Sequence, residues 1–182
     1  NERYLGITLK DVKAFLRGQE TYQVRAAPQP AQHVAEPLRP TELGHHEVDL
    51  TFLPDRDLVH ANRGYSCILV VIDIFSKFVW AWPLKHKHAA VVVEAVEAMW
   101  LVEGPPRILQ SDRGGEFTGA CVTALCERYG VDHRLCRAYH SECMGQVERV
   151  NRTLKDALFR WMSENASRKW TEALPAIVWA YN

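Results

Sequence analysis

Leu109-Gln110-Ser111-Asp112-Arg113-Gly114-Gly115-Glu116-Phe117 and, further along, Gly145-Gln146-Val147-Glu148-Arg149-Val150-Asn151-Arg152 hold two carboxylates around which the chain is organised. Asp112 closes an apolar run, Pro106 to Leu109, that reads as a buried strand. Glu148 stands one helical turn into a long amphipathic segment, with 35 residues between it and Asp112. A third acid lies upstream in His46-Glu47-Val48-Asp49-Leu50-Thr51-Phe52. There Val48, Leu50 and Phe52 alternate with Glu47, Asp49 and Thr51, so one strand face turns inward and the other carries the carboxylates. Three acids on three separate elements suggest a two-metal site for phosphoryl transfer.

Working outward, Cys67 to Ile74 is a continuous apolar run, the pattern of a strand buried on both faces. Phe78 to Leu84 is aromatic and β-branched enough for a further strand, with Asp73 to Lys77 as a tight turn between the two. Asp73 itself reads as a turn residue rather than a fourth ligand, because Asp at a strand end usually bonds turn backbone. Helical periods run over His88 to Val102, which Pro105 and Pro106 stop, over Glu116 to Tyr129, ended by Gly130, over Glu148 to Glu164, and over Lys169 to Tyr181. Pro106 to Gln110 and Val131 to Leu135 supply two more strands, and Arg137 to Gly145 reads as a mobile loop. These elements make an α/β domain, its first three strands a meander and its later strands joined by helices.

Residues 1 to 24 carry a short helix that Thr8 can cap, with Val12, Phe15 and Leu16 on one face. Four prolines, Pro28, Pro30, Pro37 and Pro40, make residues 25 to 44 an extended linker, so the main domain is placed at 45 to 182. With 182 residues, 47% hydrophobic and of zero net charge, the chain can build an ordinary core. The neutral balance means that any attraction to nucleic acid must come from local patches or bound metal. Five cysteines without short paired spacing argue for free thiols in a reducing compartment, with Cys121 and Cys126 as core packing rather than zinc ligands. No signal peptide and no long apolar run is present, so no membrane is expected.

The passages quoted above, with Val71-Ile72-Asp73-Ile74-Phe75-Ser76-Lys77 and the continuation Thr153-Leu154-Lys155, resemble the catalytic core of the retroviral integrase family in order and in the 35-residue gap. The flavour is similar to gypsy-type retrotransposons, gammaretroviruses and Polinton/Maverick transposons. The resemblance covers about residues 45 to 182 well and 1 to 27 weakly. It implies a ribonuclease-H-like fold with a five-stranded mixed sheet flanked by helices. It implies a nuclear DNA integrase that trims a 3′ end of element DNA and joins it to target DNA, using two Mg²⁺ or Mn²⁺ ions. Asp49 would bridge both ions, with Asp112 and Glu148 holding one each. Asn151 would support that site, while Arg152 and Lys155 would contact element-end DNA. Arg137, Tyr139 and His140 would contact DNA from the loop. In the family's N-terminal zinc domain a Cys pair stands where this chain has Gln19 and Tyr22, so residues 1 to 24 are expected to bind no zinc.

Each residue also has an ordinary reading. A lone carboxylate is usually a solvated charge, and Glu148 with Arg152 has the spacing of a helix-surface ion pair. What favours chemistry is the helix itself: Val147, Val150, Leu154, Leu158 and Trp161 form an apolar stripe, with Glu148, Asn151, Arg152 and Lys155 opposite. A domesticated relative serving as a DNA-binding or regulatory module is the alternative function, and an unrelated nuclease of this fold a third. The loop departs from the family at Ser141-Glu142-Cys143-Met144-Gly145, where Glu142 adds negative charge and the usual Pro is missing. Trp100, Trp161, Trp170 and Trp179 fall in helices, and the apolar spread of the His88 to Val102 and Lys169 to Tyr181 helices points to a two-fold homodimer, active sites facing apart.

Overall fold

The computed structural model describes residues 43–53, 55–136 and 144–182, all within one compact unit, Glu36–Asn182. The readings made for residues 1 to 24, for most of the linker and for Arg137, Tyr139 and His140 fall outside the described residues.

Five strands form one sheet in the order β3-β2-β1-β4-β5. They are β1 (His45–Phe52), β2 (Cys67–Asp73), β3 (Val79–Leu84), β4 (Ile108–Ser111) and β5 (Asp132–Leu135). The first three are an antiparallel meander, while β4 and β5 run parallel to β1. The expected sheet is therefore present. The helices are α1 (Arg56–Ala61), α2 (Ala89–Glu103), α3 (Ala120–Tyr129), α4 (Gly145–Glu164) and α5 (Trp170–Tyr181). The sequence reading lacks α1, which is too short to show a period. It also starts α3 four residues early, because Glu116 and its neighbours form turns before Ala120.

The alternation of β2 divides the core in two. Cys67, Leu69 and Val71 join Val48, Leu50, Trp100, Leu125 and Phe117 under α2 and α3. Ile68, Val70 and Ile72 join Val147, Val150, Leu154, Leu158 and Trp170 under α4 and α5. Burial of a strand on both faces requires the uninterrupted apolar run seen in β2. The same condition holds on β1, where it overturns an expectation. Its acidic face is not solvated, because α4 covers it, and Glu47 and Thr51 are buried while Phe52 is exposed.

Asn62 ties α1 to α5. Its Nδ2 donates to Leu58 O and to Arg168 O, each at 2.7 Å, and its Oδ1 accepts from Thr171 N and Thr171 Oγ1. The side chain is 1% exposed and fully paired. At the opposite side of the same layer, the Asn182 side chain accepts from Val79 N and donates to Val79 O, completing the edge of β3.

The thiols follow expectation only in part. Cys67, Cys121 and Cys126 are free, and burial raises Cys126 to about 11, as for a core thiol. Cys121 is exposed rather than core. Cys136 is disulfide-bonded, its partner outside the described residues. An odd count excludes complete pairing but not a single pair. No helix among the described residues is long and apolar enough to cross a membrane.

Replacing Asn62 by Ala removes a buried acceptor and donor and leaves the Arg168 carbonyl and the Thr171 donors without their partner in a partly buried place. Denaturant unfolding should show a loss of about 2–4 kcal/mol, with an unchanged denaturant slope.

Candidate active site

Asp49 and Asp112 come together through strand register. In the parallel pair β1–β4, Glu47 stands opposite Gln110. Asp49 lies two residues past Glu47 and Asp112 two past Gln110, just beyond the end of β4, and the Asp112 charge acts on Asp49. Both acids then share the face covered by α4, since Glu47 and Asp49 pair with Ile72 and Val70 of that layer.

Each carboxyl is held by local backbone. Asp49 Oδ1 accepts from Leu50 N at 2.8 Å, and Oδ2 accepts from Asn151 Nδ2 at 2.7 Å. Asp112 Oδ1 accepts from Gly114 N at 2.8 Å. A side chain at Gly114 would put its Cβ 3.0 Å from that same oxygen and 2.8 Å from Glu116 Cδ, so a larger residue there would have to displace the Glu116 side chain and shift the Asp112 carboxyl slightly. The base of this loop is tied to β5: Ser111 Oγ lies 3.0 Å from His133 Nε2, Arg113 Nε donates to Cys136 O, and Cys136 N donates to Ser111 O.

Glu148 is exposed in the first turn of α4, where the helix dipole favours a negative charge. No ion pair joins it to Arg152 among the described residues, so the surface-pair reading is not what the structure shows. Arg152 is exposed and Lys155 half-buried on the same helix. Asn151 departs from expectation. It does not share the open face of α4 but is buried, directed to Asp49, with its Oδ1 unpartnered.

The three acids feel one another. Burial is the main force that pushes the Asp49 carboxyl up to about 6, and the charges of Asp112 and Glu148 add to it. The Leu50 amide and Asn151 pull the other way. Among the described residues no three acidic, His or Cys side chains stand as a ready-made metal cage, so the carboxylates share a face and a field without closing on one point. Like charges hold such a set apart. The donors nevertheless fit Mg²⁺ or Mn²⁺: they are oxygen ligands, their mutual repulsion is what a cation relieves, and Asn151 Oδ1 adds a buried acceptor.

Of two further acids near the site, one follows its reading and one does not. Asp73 accepts from Gly44 N, Phe75 N, Ser76 N and Ser76 Oγ, so it holds its turn and is not directed at the triad. Glu47, by contrast, was read only as one more residue of a polar strand face. It is buried against the start of α4 and accepts from Val147 N at 2.9 Å. Burial raises its carboxyl above the usual range; the Val147 and Gln146 amides and Lys77 oppose this, and Glu148 adds to it. The signal available in sequence was an acid on a strand that must be covered on both faces.

A mixed sheet with strand order 3-2-1-4-5 flanked by helices defines a ribonuclease-H-like fold. The Integrase core domain family matches residues 40–141, and the chain belongs to that family. It is 34% identical over 136 residues to the Gag-Pol polyprotein of feline leukemia virus, covering 74% of this chain and 8% of that one. It is 33% identical over 132 residues to the Pol polyprotein of Radiation murine leukemia virus (strain Kaplan), covering 72% of this chain and 22% of the relative. The chain thus spans less than a quarter of the length of these relatives. In structure it matches a chain of the simian T-cell lymphotropic virus intasome solved with PP2A regulatory subunit B56 gamma. The TM-score is 0.71 at 20% identity, over 96% of this chain and 60% of that one. It also matches the HTLV-2 integrase catalytic core domain solved with magnesium, with a TM-score of 0.63 at 21% identity, over 78% of this chain and 86% of that one.

Electrostatics beside the site can be checked on His46. Burial lowers its imidazole to about 4 against Asp73, which pulls upward. The contact to Asp73 at 3.7 Å is therefore not an ion pair at neutral pH. Between pH 6.5 and 4 the unfolded chain binds a proton here that the folded chain refuses, so stability is full above this window and falls as pH drops through it. The loss from this site should be about 3 kcal/mol. It should show as a difference in pH-dependent unfolding between the wild type and His46→Phe.

Proposed function

We propose that this chain is the catalytic core of a DNA integrase that processes 3′ ends of mobile-element DNA and transfers them to target DNA. The observation that carries the reading is the juxtaposition of Asp49, Asp112 and Glu148 within a domain of the integrase core family. Two divalent ions held by these three carboxylates would stabilise the attacking and leaving oxygens of an in-line displacement. HTLV-2 integrase, which shares the fold, was solved with magnesium.

The chain's own residues position the reaction. Asn151 fixes the Asp49 carboxyl by a hydrogen bond, and the Gly114 amide fixes that of Asp112. Arg152 and Lys155, one and two turns beyond Glu148, offer cations to the phosphates of the element end, which orients the backbone without reading bases. Arg137, Tyr139 and His140 belong to this proposal as further DNA contacts from the loop, outside the described residues. In end processing a water oxygen bonds to phosphorus and the 3′-oxygen of the element leaves as a hydroxyl. In transfer that hydroxyl oxygen bonds to a target phosphorus, and the target's own 3′-oxygen leaves. The two steps exchange one P–O bond for another and need no protein nucleophile.

Asp49→Asn, Asp112→Asn and Glu148→Gln should each lower strand transfer with matched element ends by about 10²–10³-fold or more. Arg152→Ala should instead weaken DNA binding and reduce its salt dependence by about one unit of slope. Undiminished strand transfer in all three carboxylate variants would overturn the site, and DNA binding without strand transfer in the wild type would favour a domesticated DNA-binding module.

The oligomeric part of the proposal is a two-fold dimer. Leu101, Val102 and Trp179 are 71%, 81% and 82% exposed, on helices that pack against the edge strand β3 from opposite faces. The HTLV-2 core was solved in dimeric and trimeric forms. Concerted joining of two DNA ends requires at least two active sites. Light scattering over a concentration series should show a dimer that Trp179→Glu and Leu101→Glu weaken, and a monomer at tens of micromolar, roughly where a ~1,000 Å² interface should hold, would count against it.

A further inference from the structure

Helix α4 begins without a cap of its own. Its N-cap residue, Met144, makes no side-chain hydrogen bond, yet the first backbone N–H groups of a helix need partners. The acceptor comes from the central strand. Glu47 Oε2 takes the Val147 amide at 2.9 Å, and the Gln146 amide donates to the same carboxyl. Glu47 is 2% exposed, so neither partner can be replaced by bulk water.

The location matters more than the bond. Glu47 precedes Asp49 by two residues and shares its strand face. Val147 is the residue before Glu148. One carboxyl therefore links the backbone beneath one member of the triad to the backbone beside another. A second strut lies further along, where Asn151 Nδ2 donates to Asp49 Oδ2. The two struts are four residues apart on α4 and two apart on β1. A helical turn rises about 5.4 Å and two strand residues about 6.6 Å, so these spacings match and α4 lies along β1. Lys77 completes the arrangement. It has a left-handed backbone, φ 68, and its Nζ donates to Ile74 O and to Gln146 Oε1, bringing the β2–β3 turn and a positive charge to the start of the helix.

We propose that Glu47 is a positioning residue of the carboxylate site: by capping α4 from β1 it sets the separation of Glu148 from Asp49. It touches neither substrate nor metal and acts through the helix. The inference rests on the reading of the triad as a metal site, and the experiment separates the two.

Mn²⁺ alone is titrated into this chain, followed by electron paramagnetic resonance, for wild type, Glu47→Gln, Glu47→Ala and Asp49→Asn, with equal folded fractions set by circular dichroism. Asp49→Asn should abolish binding. Glu47→Ala should weaken it by about 10- to 100-fold, as loss of a supporting group around a metal site does, and Glu47→Gln, which keeps one acceptor oxygen, by less. Amide exchange at Gln146 and Val147 should accelerate in the same order. In strand transfer, with rates taken per folded molecule, Glu47→Gln should lower kcat while KM for DNA stays unchanged. If Glu47→Ala does not fold, Glu47→Gln carries the test. Mn²⁺ binding at wild-type strength in the Glu47 variants, beside its loss in Asp49→Asn, overturns the inference and leaves the metal site standing. Unchanged binding in Asp49→Asn overturns both.

Discussion

A carboxyl group on a strand that is covered on both faces must find donors inside the protein, and β1 places two such groups under one helix. Burying them without partners would cost several kcal/mol each, more if ionised. Glu47 is answered by backbone amides of α4, and Asp49 by Leu50 N and Asn151. The position of α4 is thus fixed by polar demands as well as by the apolar stripe from Val147 to Leu158. This explains why a long helix with an exposed acid in its first turn lies so close to a strand with a half-buried one. A greasy interface alone would tolerate a slide of α4 along β1, whereas two directed contacts a turn apart do not.

The sheet supplies the other half of the arrangement. Parallel pairing of β4 with β1 places Asp112 by register, and the Gly114 turn holds its carboxyl without a side chain in the way. Asp49 and Asp112 therefore come from a rigid frame, and Glu148 from an element docked onto it. Burial, with the nearby charges of Asp112 and Glu148, raises the Asp49 carboxyl. Burial and two like charges favour the proton, and the same environment gives a divalent cation most to gain.

The elements were legible because β2 is apolar throughout and α4 carries a regular stripe, while the arrangement of the sheet came through the family resemblance. Spacing and resemblance singled out Asp49, Asp112 and Glu148, and their joint role is part of the proposal. What sequence did not show depended on cover rather than on pattern. The alternation in β1 has the form of a half-exposed strand, and only the docking of α4 reveals that Glu47 and Thr51 are enclosed. Asn151 has the helical phase of the polar face, but it sits at the border of the stripe, where a short amide can turn inward to Asp49. Asn62 had no signal at all, since three of its four bonds reach segments more than a hundred positions away. Helix α1 is too brief for periodicity, and its Asp55 cap is one of many Asp residues in loops.

The Asn182 contact bears on how copies of this domain can meet. Strand β3 forms one border of the sheet, and its outward groups belong to Val79, Ala81 and Pro83, the alternate residues whose partners are not in β2. The carboxamide of Asn182 occupies both groups of Val79, and Pro83 has no N–H to offer. The far border, β5, is only four residues long and carries an exposed Asp132–Arg134 pair. Neither border is a good template for a foreign strand. For the assembly proposed above the consequence is favourable: neighbours are turned away from open-ended sheet stacking, and contact is left to helical surfaces whose geometry can close.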